Sequence, residues 1–287
     1  MDDWTRAPAE RGQGPVRARL LGALQVDTPR ASLSAAAFPG RKPRRLLELL
    51  LCERGHVVTR AQLADVLWGD QPPRDRDGAL QTYVAVLRRT LAPGGTPRSS
   101  VIVTEPAGYR VGPRGLEVDL DVFDGLVRSA ATTDRASALR ILLDALSLVR
   151  GQVLEHAPDE PWLRAVRSTY RDRHVRALVD AGRLSLVGGD AGLALDLAER
   201  AVSANPLGEA GYQLLMASAF ALRRQDAALM AFEQCRRRLA DELGTDPLEE
   251  TRALHLAILR RATEADLLAI LLDQAQRPRV LAALPRS

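Results

Sequence analysis

The chain is short of the residues from which metal, redox and covalent chemistry are built. It has two cysteines in 287 residues, Cys52 and Cys235, in unrelated contexts. That excludes a disulfide framework and a CxxC metal site. Cys52 follows Leu49-Leu50-Leu51 and reads as a buried thiol. The four histidines (His56, His156, His174, His255) never fall at ligand spacing, so no metal or other cofactor is expected. There is no nucleophile elbow, no GxxxxGK[ST] phosphate loop and no placed carboxylate pair, so no enzyme is expected. Gly188-Gly189-Asp190 reads as a turn between helices. The opening Met1-Asp2-Asp3 lacks the basic and apolar regions of a signal peptide. No apolar run approaches the ~20 residues that span a bilayer. A cytoplasmic protein, with no membrane partner, is the expectation. Lysine is nearly absent too: all but one of the 40 basic residues are arginine.

What is present is enough for two ordinary domains with a sizeable core. Apolar residues make up 46% of the chain, which argues against wholesale disorder. The formal net charge is only +4, but its distribution is uneven. Residues 1–115 hold 18 Lys+Arg against 11 Asp+Glu, a net of +7, and the remainder 22 against 25, a net of −3. The basic excess lies in the first part, as a nucleic-acid-binding domain requires.

Residues 1–15 are polar and read as a flexible tail. Alternation around Arg17-Ala18-Arg19-Leu20 and Val26, broken by Gly22 and Pro29, predicts small antiparallel strands over 17–38. A helix is predicted from Arg44 to Arg54, with the apolar run Leu46–Leu51 interrupted only by Glu48. Thr59 caps a second helix to Trp68, and a third runs from about Asp75 to Leu91, stopped by Pro93-Gly94-Gly95. A hairpin follows at about 101–111, turning through Pro106 and Gly108. After Val118-Asp119-Leu120-Asp121 only helical signals remain, near 121–130, 134–149, 160–187, 191–204, 208–223, 226–243 and 247–261. Two of these open alike, Asp190-Ala191-Gly192-Leu193 and Asp226-Ala227-Ala228-Leu229, 36 residues apart. That spacing suits a helix-pair repeat of tetratricopeptide type.

Helix, turn, helix and hairpin in that order describe a winged helix-turn-helix, whose second helix enters a DNA groove. At 100° per residue, Leu80, Tyr83, Val84, Leu87 and Leu91 share one arc of the third helix and form its buried stripe. Gln81, Thr82, Ala85, Arg88 and Arg89 lie outside it as candidate DNA readers. Arginine can grip guanine through two bonds, glutamine can do so with adenine, and small residues allow close approach. A solvated helix face with incidental arginines is the plainer reading of this helix alone. Candidate phosphate contacts are Lys42, Arg44 and Arg45 at the start of the first helix and Arg74 and Arg76 before the third. Arg98, Tyr109 and Arg110 around the hairpin complete that set. Tyr109 also suits closure of the hairpin onto the core. The hairpin tip, Glu105-Pro106-Ala107-Gly108, carries an acid where a minor-groove arginine would be expected.

These residues resemble a known family. LWGDQPP, ALQTYVAVLRRTL and GYRV resemble an OmpR-type DNA-binding domain. VDLDVFDGLV, DALSLVRGQVL, the stretch from Asn205 to Pro247 ending ELGTDP, and ETRALHLAILRR are similar to the bacterial transcriptional activation domain. Together they resemble the Streptomyces antibiotic regulatory protein family over about residues 16–263. The resemblance implies an α+β winged helix-turn-helix domain over 16–115 and an all-α, tetratricopeptide-like activation domain over 119–263, followed by a C-terminal extension over 264–287. It implies an activator of a secondary-metabolite gene cluster that binds direct repeats in promoter DNA. Dimers or tandem copies, and recruitment of RNA polymerase holoenzyme, are implied with it. A repressor with the same domains, and a helical-repeat scaffold without specific DNA binding, are the alternatives at this point. The charge split argues against the scaffold.

Overall fold

The computed structural model describes residues 15–92, 100–112, 115–263 and 265–271. Within them the chain divides into two compact units. The first comprises residues up to Asp124 together with Leu148–Arg167, and the second Gly125–Ser147 with Ser168 onward.

The first unit opens with strands β1 (Val16–Arg19), β2 (Gln25–Asp27) and β3 (Ser32–Ser34). Helix α1 (Arg41–Cys52), strand β4 (Val58–Thr59), and helices α2 (Arg60–Trp68) and α3 (Arg76–Leu91) follow. Strands β5 (Ile102–Thr104), β6 (Gly108–Val111) and β7 (Leu116–Val118) complete the set. β7 pairs in parallel with β1, giving a four-stranded sheet in the order β3-β2-β1-β7, and β4-β6-β5 form a second sheet. The α+β winged helix-turn-helix expected for this part is thus present. Thr59 starts α2 with a full capping box: it accepts from the Gln62 amide while the Gln62 side chain accepts from the Thr59 amide. Leu46, Leu47, Leu50, Leu63, Leu80 and Leu87 meet in the core and are essentially inaccessible.

Helix α4 (Asp119–Ala130) starts at an acid that closes the unit. The Asp119 carboxylate is 1% exposed and accepts from the Leu20 and Leu21 amides at 2.8–2.9 Å. Burial outweighs those donors and lifts it to about 6. Residues 148–167 lie against the same sheet: Leu154 N donates to Leu20 O, and Arg150 N to Leu21 O.

The second unit is helical: α5 (Arg135–Ser147), most of α6 (Pro161–Val187), α7 (Ala191–Ala204), α8 (Glu209–Ala221), α9 (Gln225–Leu243) and α10 (Glu249–Leu259), then a helical turn over 265–271. Consecutive helices pack in order, α7 on α8 and α8 on α9, as in a helical repeat. Leu267 and Leu271 bury themselves in two of its apolar clusters. The two similar openings differ in detail. Asp190 is the N-cap of α7 and accepts from Leu193 N, whereas Asp226 already lies inside the first turn of α9. Gly244 ends α9 in the left-handed region, φ +66. Glu209 then accepts from Leu248 N and from the buried Thr251 hydroxyl, so an acid on α8 caps α10. Among the described residues no helix is long and apolar enough to cross a membrane.

Candidate nucleic-acid interface

Helix α3 is started by Asp75, whose carboxylate accepts from Gly78 N at 2.8 Å. A Cβ on Gly78 would sit 2.1 Å from that carboxylate, so the cap and the glycine require one another. Leu80, Val84, Leu87 and Leu91 are buried along one side. Tyr83 is half-buried, its ring 6.1 Å from that of Trp68. Gln81, Thr82, Ala85 and Arg89 are exposed together on the other side. Thr82 donates back to Gly78 O, leaving its methyl and a hydroxyl lone pair outward. Arg74 and Arg76, just before and at the helix start, are exposed, as is Arg41 at the start of α1.

Arg88 departs from the expected set. Its guanidinium donates through Nε and Nη2 to Ile102 O, at 3.2 and 2.9 Å, and through Nη2 to Thr104 Oγ1 at 2.8 Å. It is committed to the hairpin, not presented with its neighbour Arg89. The hairpin closes through two bonds between Glu105 and Gly108, with Pro106-Ala107 at the turn. Glu105 is answered from within: Arg110 Nε donates to it at 2.8 Å. Arg60 Nη1 donates to Pro106 O and its guanidinium covers the Tyr109 ring at 5.7 Å. The expectation for Tyr109 as a phosphate contact is corrected. It is 2% exposed, a core residue that seats the hairpin on the unit. Gly108 is needed beside it, because a Cβ there would lie 2.0 Å from Val58 O of β4.

The cations at the start of α1 are also largely taken. Helix dipoles disfavour positive charge at that end. Groups of the protein itself offset part of that penalty. Arg45 pairs with Glu160, which also accepts from Trp162 Nε1. Arg44 lies 3.3 Å from Glu48 and donates to Ala35 O. Lys42 Nζ lies 5.5 Å from the Trp68 ring centre. Arg98 falls outside the described residues.

The residues that sequence reasoning passed over are those partners. Glu48 is nearly inaccessible and binds His156 Nε2 at 2.8 Å, while His156 Nδ1 accepts from Leu24 N. That fixes the neutral tautomer: Nε2 carries the proton. An acid interrupting the run Leu46–Leu51 was a legible sign that a cation or donor had to cover it. Burial pushes both thiols, Cys52 and Cys235, to about 12, so neither is a thiolate near neutrality.

Comparison with known proteins agrees with this architecture. Residues 39–111 match the family model "Transcriptional regulatory protein, C terminal", and residues 118–259 match "Bacterial transcriptional activator domain". The transcriptional regulatory protein MoaR1 of Mycobacterium tuberculosis is 29% identical over 260 residues, 88% of this chain and 82% of that one. The transcriptional regulator RedD of Streptomyces coelicolor is 30% identical over 256 residues, 86% of this chain and 71% of that one. The regulatory protein AfsR of the same species is 32% identical over 273 residues, but the match spans only 27% of its length. The structure of Mycobacterium tuberculosis EmbR in complex with a low-affinity phosphopeptide superposes with a TM-score of 0.78 at 25% identity, over 93% of this chain and 72% of that one. With an exposed helix face beside a hairpin, a helical-repeat unit and relatives of this kind, the chain belongs to the Streptomyces antibiotic regulatory protein family of DNA-binding transcriptional regulators.

Proposed function

We propose that this regulator is a pathway-specific activator of a secondary-metabolite gene cluster. It binds direct repeats near promoters, as a dimer or as tandem copies, and recruits RNA polymerase holoenzyme through its helical-repeat unit. The observation that carries the DNA-binding half of this reading is the exposed face of α3. Gln81, Thr82, Ala85 and Arg89 lie there together, with Arg74 and Arg76 at the same helix's start. Gln81 and Arg89 are the residues proposed to read base edges, Thr82 and Ala85 allow the close approach, and Arg74, Arg76 and Arg41 neutralise phosphates. Resemblance to the family supports the rest of the reading.

Footprinting on the gene's own chromosomal neighbourhood tests it. Protected direct repeats at helical-turn spacing are expected, with a reporter that loses transcription when the gene is deleted. A rise in transcription refutes activation, and protection without repeats refutes tandem binding. Affinity for the protected fragment falls steeply with salt, because neutralised phosphates release counterions. Arg89→Ala costs about 1–3 kcal/mol of binding and relaxes one base position. Binding indifferent to both salt and Arg89 defeats the assignment of α3.

A further inference from the structure

We infer that Arg88 is a positioning residue, which locks the hairpin to α3 so that the two present one surface, and that it does not itself touch DNA. The inference rests on the reading that α3 and the hairpin bind a duplex. Arg88 lies in the last turn of α3 and is half-buried. Two of its nitrogens converge on the carbonyl of Ile102, a residue with no exposed surface, and one reaches on to Thr104 Oγ1. Ile102 stands opposite Val111 at a non-hydrogen-bonded position of the β5–β6 pair, so its carbonyl points to the outer edge of β5, and the planar guanidinium caps it there. Arg89 is turned 100° further round the helix and is exposed. One helical step therefore separates an arginine spent on the hairpin from one left to solvent.

The hairpin is held at its tip by other means, Arg60 on Pro106 O and Arg110 on Glu105. Arg88 alone among these three links it to α3. Two elements that grip one duplex must keep their mutual placement to well under an ångström, and supporting hydrogen bonds of this kind supply that. The contact is no ion pair, because both acceptors are neutral oxygens.

The test uses the full chain and two probes: a duplex selected by that chain from a random-sequence pool, and an unselected duplex of equal length. Arg88→Ala is expected to lower affinity for the selected duplex about tenfold, as for a lost charged hydrogen bond. The unselected duplex should change by less than about twofold, since charge-driven binding is retained. The slope of log affinity against log salt stays unchanged, and reselection with the variant returns the same sequence. Thr104→Val removes an acceptor on the hairpin side without touching α3, and lowers affinity about threefold. The double variant then binds within about twofold of Arg88→Ala, because both break one link.

A salt slope shallower by about one marks Arg88 as a phosphate contact, and a newly degenerate base pair marks it as a reader. Either result overturns the inference. So do equal losses on both duplexes, which mean partial unfolding, and multiplicative losses in the double variant. If the pool yields no preferred duplex, the DNA-binding reading of α3 fails and the inference falls with it.

Discussion

The two compact units use arginine in opposite ways. In the first, arginines join parts of the chain that are far apart in sequence: Arg17 with Glu117, Arg45 with Glu160, Arg54 with Asp121, separations of 100, 115 and 67 residues. Arg167 donates to three carbonyls, those of Val153, Leu154 and Ala157. Among the described residues of the second unit, Arg171 pairs with Asp172, Arg236 and Arg237 with Glu233, and Arg252 with Glu249, each within one helical turn. The difference follows from architecture. A sheet whose β1 and β7 come from opposite ends of the domain brings remote residues into register, whereas a helical repeat contacts mainly what precedes and follows it. A nearly lysine-free composition therefore says nothing about how many arginines are left for DNA.

Removing a long-range link should hurt most. Arg167→Ala removes a donor from three carbonyls, of which Leu154 O keeps the Ala157 amide, and its side chain is only 10% exposed. A loss of about 3 kcal/mol is expected in the first unit. Among the described residues the tryptophans, Trp68 and Trp162, both belong to that unit, so their fluorescence in a urea titration reports on it. An unchanged fluorescence midpoint would break the contrast.

A smaller effect is expected at His174 in the second unit. Burial, with Arg200 nearby, pushes this imidazole down to about 4, and its Nε2 has no hydrogen-bond partner. Its folded value lies below the unfolded one, so the unfolded state binds more protons between about pH 4 and 6.5. Stability is lost as pH falls through that window. His174→Leu should remove that loss, a gain of about 1–2 kcal/mol near pH 4.5 after discounting for partial exposure, and none at pH 8. Circular dichroism melts at the two pH values decide it, and a variant whose acid sensitivity matches the parent sinks the assignment. Asp190→Ala deletes the cap of α7 and should cost about 1 kcal/mol at neutral pH. The smallest change belongs to Glu233→Gln. Its arginine pairs are exposed and local, although they hold the carboxyl down at about 2. No resolvable shift of the melting midpoint is expected.

Much of this was legible in advance where the physics is local. The capping box at Thr59, the Asp75 cap, the buried stripe of α3 and the run of helices after Asp119 all follow from side chains within a turn of one another. The acidic hairpin tip was visible as well, but the reason it is tolerated was not, since Arg110 answers Glu105 across the strand pair. Arg88 and Arg89 are indistinguishable as letters. Only the position of β5 separates them. As a letter in the sequence Tyr109 suits two roles, and burial under Arg60 selects the structural one.

Residues 148–167 make the same point on a larger scale. They fall inside the region that matches the activator domain, yet they complete the compact unit that carries α3. His156 reaches Glu48 and Leu24, and Glu160 reaches Arg45. Periodicity marks where a helix lies and which side is apolar, because one helical turn sets both. It is silent on which remote carboxylate or carbonyl will neutralise a given arginine. The sequence alone determined the helices, the caps at Thr59 and Asp75, the family and the exposed face of α3. Tertiary structure decided which cations remain on that face, because a charge is free only if nothing brought near by the fold has already bound it.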